Sequence, residues 1–169
     1  MSSADFSQQD IFAKNNYDIR SLDDEVRADV LCGRLLKQCY LYLVETHELS
    51  AAEASRLCYG ASYFLCEYLI PDRRVNLFDI TAQLIRQFAG NWYIIKNMEP
   101  NLAELTGILE GVMAFYDYSC SLGLVSGQQL QEVQSSCADL AYYQGRIDSF
   151  YAIENDGYFQ WNADCPLKS

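Results

Sequence analysis

Histidine is almost missing: His47 is the only one among 169 residues. Any Ser-His-Asp or Cys-His catalytic arrangement must run through it. It stands in Glu45-Thr46-His47-Glu48, at the expected end of a helix, where a cationic ring suits the negative end of the helix dipole. That placement reads as a capping histidine, so no catalytic residue is assigned. A di-iron bundle takes Glu-x-x-His from each of two helices, and one histidine cannot supply both. HExxH is absent. A four-cysteine zinc site needs close pairs, yet Cys32/Cys39 and Cys58/Cys66 are each about two helical turns apart along the chain. The segment from Ala152 to Ala163 places Asp156-Gly157 like the centre of a calcium loop, but both end positions are alanine. Neither GxxxxGK[ST] nor GxGxxG occurs. No metal and no cofactor is expected.

Basic residues are scarce as well. Twelve Lys and Arg face twenty-three Asp and Glu, for a formal charge of -11. The deficit concentrates after Lys96, where 2 basic residues meet 10 acidic ones. Such a surface repels phosphate backbones and anionic lipid, so direct nucleic-acid binding is not expected. The one basic pair, Arg73-Arg74, sits beside Asp72. No apolar run is long enough for a membrane span; the best, Tyr59 to Ile70, is interrupted by Glu67. The first ten residues lack a basic n-region and an apolar core, so no secretory signal is expected. The seven cysteines are odd in number, form no CxxC and fall mostly on apolar helix faces. They read as reduced buried thiols, and a cytoplasmic address follows.

What is present is helical periodicity. The chain has the length of one domain, and its 3 prolines act as punctuation. Residues 1–20 read as a polar N-terminal arm, 21–153 as the helical bundle domain and 154–169 as a polar C-terminal tail. Four cap signatures precede apolar runs: Ser21 with Asp24, Ser50 with Glu53, Asn101 with Glu104, and Ser126 with Gln129. The first helix is expected to run to about Glu48, with Val26, Val30, Gly33, Leu36 and Tyr40 on its inner stripe. The second is expected to stop at Pro71. A third starts near Asp79 with a stripe of Ile80, Leu84, Phe88, Trp92 and Ile95. A fourth follows Pro100 and carries Gly107-x-x-x-Gly111, which permits a close helix crossing. A fifth opens at Ser126 and runs through Leu140, Gln144 and Tyr151. No segment alternates with period two, so little or no sheet is expected. The fold class is all-α, an up-and-down bundle of about five amphipathic helices.

The unusual abundance is aromatic: 13 tyrosines, 8 phenylalanines and 2 tryptophans. Pairs such as Tyr59/Tyr63, Trp92/Tyr93, Tyr116/Tyr118 and Tyr142/Tyr143 put rings on more than one side of a helix. Five helices bury one stripe each, which leaves spare rings for an interface or a cleft. The sequence therefore points to a non-enzymatic cytoplasmic interaction module. It is expected to be a homodimer that offers an acidic, tyrosine-rich surface to a protein partner. The alternative is a small-molecule-binding or enzymatic bundle with an aromatic pocket between helices. That pocket would be walled by Trp92, Tyr93, Tyr63 and Tyr116, with Glu67 or Asp117 at its mouth and Gln144 as a polar residue on a stripe.

Overall fold

A computed structural model describes Ser7 and residues 9–165 of the chain. Among the described residues all regular structure is helical and no strand occurs. Two short 3-10 turns, Asp10–Phe12 and Lys14–Tyr17, precede α1 (Leu22–Glu45). Next comes α2 (Ala51–Ser62), which continues without a break as a π-helix, Tyr63–Arg73. A second composite rod joins α3 (Ala82–Gln87), a π-helical turn Phe88–Trp92 and α4 (Tyr93–Lys96). Then follow α5 (Leu102–Ser121), α6 (Gly127–Cys137), α7 (Leu140–Tyr151) and the short α8 (Tyr158–Ala163). The described chain thus holds seven helical rods where five were expected.

The four cap signatures act as their chemistry dictates. Ser21, Ser50, Asn101 and Ser126 each accept the backbone N–H three residues on, satisfying a donor with no intrahelical partner. Only Ser126–Gln129 completes the reciprocal box, the Gln129 amide oxygen accepting Ser126 N–H. Thr81 caps α3 through Leu84 N–H in the same way, which the sequence reading did not single out.

Three expectations change. Pro71 does not stop the second rod. It lies inside the π-helical stretch, which runs on to Arg73 and ends where Arg74 turns left-handed at φ 55°. The expected fifth helix breaks at Ala138–Asp139 into α6 and α7, and the break rotates the buried face. Tyr143, Arg146 and Ile147 are buried, while Gln144 is half-exposed and Tyr151 exposed. On α1 the inner face is Ala28, Leu31, Cys32, Leu35, Leu36, Cys39 and Leu43. Val26 and Val30, assigned to the inner stripe, face solvent.

At the centre of the packing is α5, which touches α1, α2, α6 and α7. It meets α2 at backbone contact. A Cβ on Gly111 would lie 2.2 Å from Leu57 O, and one on Gly60 would lie 2.9 Å from Ile108 Cα. Gly111 of the GxxxG is therefore used inside the chain. So are five of the tyrosines: Tyr17, Tyr68, Tyr93, Tyr116 and Tyr143 are fully buried. The fold accommodates them because four of their hydroxyls donate to backbone carbonyls, of Ile11, Leu84, Leu77 and Ser136. The Tyr93 hydroxyl has both a carboxylate, Glu104 at 2.9 Å, and a backbone carbonyl, Asn101 O at 3.2 Å, as acceptors. A buried phenol paired this way carries little desolvation cost.

The described parts of the arm and the tail dock. Ile11 and Tyr17 of the arm are buried, and Asn76 Nδ2 donates to Lys14 O and Asp18 Oδ1. In the tail, Trp161 of α8 is buried under Arg146, whose guanidinium carbon sits 4.0 Å from the ring centre. Residues 1–6, 8 and 166–169 of the expected arm and tail lie outside the described residues.

Candidate functional site: an aromatic groove between two pi-helical segments

The two π-helical segments pack against each other. Phe88 meets Phe64 and Tyr68 at ring separations of 5.0 and 5.2 Å, and Trp92 meets Tyr68 at 5.3 Å. A π-helix bonds residue i to i+5, so it turns more slowly than an α-helix and aligns a different set of side chains. On the second rod this puts Tyr63, Glu67 and Pro71–Asp72 along one outer edge. Facing them, Trp92 and Lys96 stand one turn apart on the other rod. Together these six residues line an open cavity of about 470 Å³. Lys96 Nζ lies 5.9 Å from the centre of the Trp92 ring, within cation–π reach. The Trp92 indole nitrogen is buried and makes no hydrogen bond within the described chain.

Tyr63 also belongs to a second cavity of about 390 Å³ that continues along α2 toward Arg56 and is floored by Gly60, Gly107 and Ile108. Its hydroxyl accepts Asn97 Nδ2 at 3.1 Å, and the same amide donates to Tyr93 O at 2.7 Å. Burial pushes the Tyr63 phenol above its usual range, with the Asn97 hydrogen bond working against it and the charge of Glu104 adding to it. Arg56 is held at the far end by Glu53 and Glu110, at 2.7 and 2.8 Å. These two exposed carboxylates raise its already high pKa, through hydrogen bonds first and charge second. The sharing of Tyr63 makes the two cavities one groove that follows the α2 rod.

Of the residues singled out from sequence, Tyr63, Glu67 and Trp92 converge on this groove. Tyr93 adjoins it from beneath. Its ring is buried, its hydroxyl donates to Glu104 Oε1 at 2.9 Å, and it accepts Asn101 N–H at 3.2 Å. Burial, followed by this carboxylate, pushes the Tyr93 phenol far up. The other three stand elsewhere. Tyr116 is sealed in the core with its hydroxyl 2.8 Å from Leu77 O. Asp117 lies beside His47, at 3.8 Å, and Tyr42, at 3.5 Å, where the last turns of α1 and α5 meet. Gln144 pairs with Asp148 on the surface of α7. The sequence reading missed Lys96, Asn97 and Glu104, and also Pro71 and Asp72. Spacing held part of the signal, because Tyr63/Glu67 and Trp92/Lys96 are both i,i+4 pairs.

The groove contains no nucleophile–base pair, and His47 is half-exposed against a single carboxylate. Among the described residues no group of three or more His, Cys, Asp or Glu side chains is placed to hold a metal ion. No described helix is long and apolar enough to cross a membrane. Comparison with known protein families, with curated proteins and with solved structures finds no match.

Proposed function

We propose that the protein is a non-enzymatic helical interaction module that pairs with a second copy of itself through the outer face of α1. In this reading the acidic aromatic groove on the α2 rod is offered to a different protein. The carrying observation is the apolar stripe on α1. Leu22, Val26, Val30 and Leu41 are 69, 57, 42 and 43 % exposed and share one helix face. Gly33 lies within the same stripe, and a Cβ there would meet nothing within 4 Å. A glycine inside a helix costs about 1 kcal/mol against alanine. Nothing within the chain calls for it here, whereas a second helix crossing closely would.

The stripe is also self-complementary. Its midpoint falls between Leu31 and Cys32, beside Gly33. An antiparallel pairing about a two-fold axis at that point sets Leu22 against Leu41 of the second copy. The same register sets Val30 against Gly33, Asp29 against Arg34, a residue of opposite charge, and Val26 against the aliphatic stem of the exposed Lys37. From Leu22 to Leu41 the contact is about 30 Å long at 1.5 Å per residue. One helix face is small beside a standard interface of about 800 Å² per partner, so the pairing belongs among weak dimers. The net charge of -11 favours a basic partner for the groove, through faster encounter.

Sedimentation velocity over a range of concentrations tests the pairing. The expected result is a concentration-dependent shift from monomer to dimer that Val30→Asp abolishes while its far-UV spectrum stays native. A wild type that remains monomeric at every concentration, or a Val30→Asp dimer of unchanged affinity, overturns the proposal. A second reading has its own observation. The cavity beside Tyr59 and Ile108, about 390 Å³, is within the size range of small-ligand pockets.

A further inference from the structure

Seven cysteines are free, and the packing of α1 against the α2 rod pairs four of them across the interface rather than along either helix. Cys32 Sγ lies 3.9 Å from Cys66 Sγ. About two turns further along the interface, Cys39 and Cys58 stand near each other as a second couple, with Cys58 Sγ donating to Leu36 O at 3.8 Å. The two members of the first pair have different surroundings. Cys32 is completely buried in the core. Cys66 is half-buried and sits in the wall of a pocket of about 200 Å³ between Glu25, Asp29 and Pro71.

We propose that Cys66 and Cys32 form a redox-active dithiol, in which Cys66 is the attacking thiol and Cys32 resolves it to a Cys32–Cys66 disulfide when the protein meets a small peroxide. The pocket admits an oxidant of that size to Cys66 while Cys32 stays out of its reach. The remaining distance is short, since a disulfide of about 2.05 Å requires the sulfurs to close by roughly 2 Å. The contact with Cys32 first, and Ser62 after it, draw the Cys66 thiol below its usual range. Partial burial and the carboxylate of Asp29 oppose them. The thiolate is the nucleophile, so this asymmetry favours attack from Cys66. Cys32 is pushed well up by the same contact and by burial, so it is the later of the two thiols to react.

The chemistry closes. Cys66 Sγ attacks one peroxide oxygen, the S–O bond forms as the O–O bond breaks, and the departing hydroxide takes the Cys66 proton to leave as water. Cys66 is then a sulfenic acid. Cys32 Sγ attacks Cys66 Sγ, the S–S bond forms as the S–O bond breaks, and the second hydroxide leaves as water with the Cys32 proton. The two thiols lose two electrons and two protons, and hydrogen peroxide becomes two waters. The product ties α1 to the π-helical segment covalently.

This site stands on one copy of the chain and does not rest on the proposed self-association. Its pocket is bordered by Val26 and Val30, so the test uses protein diluted below the concentration at which copies pair. The reduced full-length protein is treated with stoichiometric hydrogen peroxide, alkylated and analysed by intact mass and peptide mapping. The expected first product carries two alkyl groups fewer than the alkylated reduced protein and yields a peptide linking Cys32 to Cys66. In Cys66→Ser that product is lost entirely. In Cys32→Ser the sulfenic acid persists on Cys66 and is captured by dimedone. If the first cross-link joins Cys39 to Cys58 while Cys32 and Cys66 remain alkylatable, the proposal fails. It fails equally if Cys66 is over-oxidised with no cross-link in the wild type. The wild-type map decides even where a variant does not fold.

Discussion

The contact between α2 and α5 makes opposite demands on glycines that look alike in sequence. At Gly111 an added Cβ would lie 2.2 Å from Leu57 O, 2.7 Å from Ala61 N and 3.0 Å from Gly60 Cα. All three are backbone atoms, so no side chain can turn aside and the helices themselves must separate. At Gly107, one turn earlier, the nearest atom is Arg56 Nη1 at 3.6 Å, an ordinary contact with the tip of a flexible chain. Replacing a helical glycine by alanine contributes about 0.5–1 kcal/mol of stability where space allows. Gly107→Ala should gain that amount. Gly111→Ala gains the same propensity but incurs an overpacking cost of about 1–3 kcal/mol or more, at the upper end because the obstruction is backbone. Its net effect should be a loss of about 2 kcal/mol. Urea denaturation followed by far-UV circular dichroism measures both, and the m-value should be unchanged for Gly107→Ala. If Gly111→Ala proves as stable as Gly107→Ala, the two helices do not meet at backbone contact and the account of the core is wrong.

Two further predictions concern buried polar groups. Arg146 donates to Gly90 O, Trp161 O and Asn91 Oδ1 while lying over the Trp161 ring. Arg146→Ala should destabilise by about 3–5 kcal/mol by orphaning those acceptors and releasing α8, and chemical denaturation should show it. Arg146→Lys, lacking the fork, should recover only part. Burial is the leading cause that raises the phenols of Tyr17, Tyr68, Tyr93, Tyr116 and Tyr143, that of Tyr68 to about 12. Their folded pKa exceeds the unfolded value near 10, so they stabilise fully below about pH 10 and lose that contribution as pH rises toward the folded values. Alkaline unfolding should therefore be cooperative, with the last part of the tyrosinate absorbance, that of these five rings, appearing together with loss of helix. Ionisation of these five phenols, over and above that of the exposed tyrosines, in a protein that keeps its helix would contradict it.

Much of the helix layout could be read from the chain because caps are local. Ser21, Ser50, Asn101 and Ser126 each need only a backbone N–H three residues away, and that requirement is written in consecutive letters. The face that a helix buries is less local. On α1 the periodic set of Val26, Val30 and Gly33 competes with a neighbouring set of Ala28, Leu31, Cys32, Leu35 and Cys39. Both sets satisfy helical spacing, and packing against α2 and the arm selects the second. The exposed set is what remains to carry the proposed pairing. Tyrosine misled for a related reason. A ring with a polar tip suits a boundary, but a carbonyl presented at the right depth makes the interior equally suitable, and nothing around Tyr116 in sequence announces Leu77 O thirty-nine residues away.

The groove was half visible for a deeper reason. An α-helical reading places Trp92 on the stripe of Leu84 and Phe88 and sends Tyr93 to its flank. The π-helical turn Phe88–Trp92 alters that phase, so that Tyr93 and Ile94 go inward and Trp92 is left at the rim. Beyond Ser62 the same change carries Pro71 past the point where an α-helix would stop. It keeps Glu67 on the edge with Tyr63. Gly90 O, within the Phe88–Trp92 turn, accepts Arg146 Nε at 2.9 Å. The features that define the groove and those that anchor the tail thus share one origin. Local propensity does not encode that origin: it arises when two aromatic-rich rods must pack their rings between them, and the cost of two irregular turns is offset by the burial of Phe64, Tyr68 and Phe88.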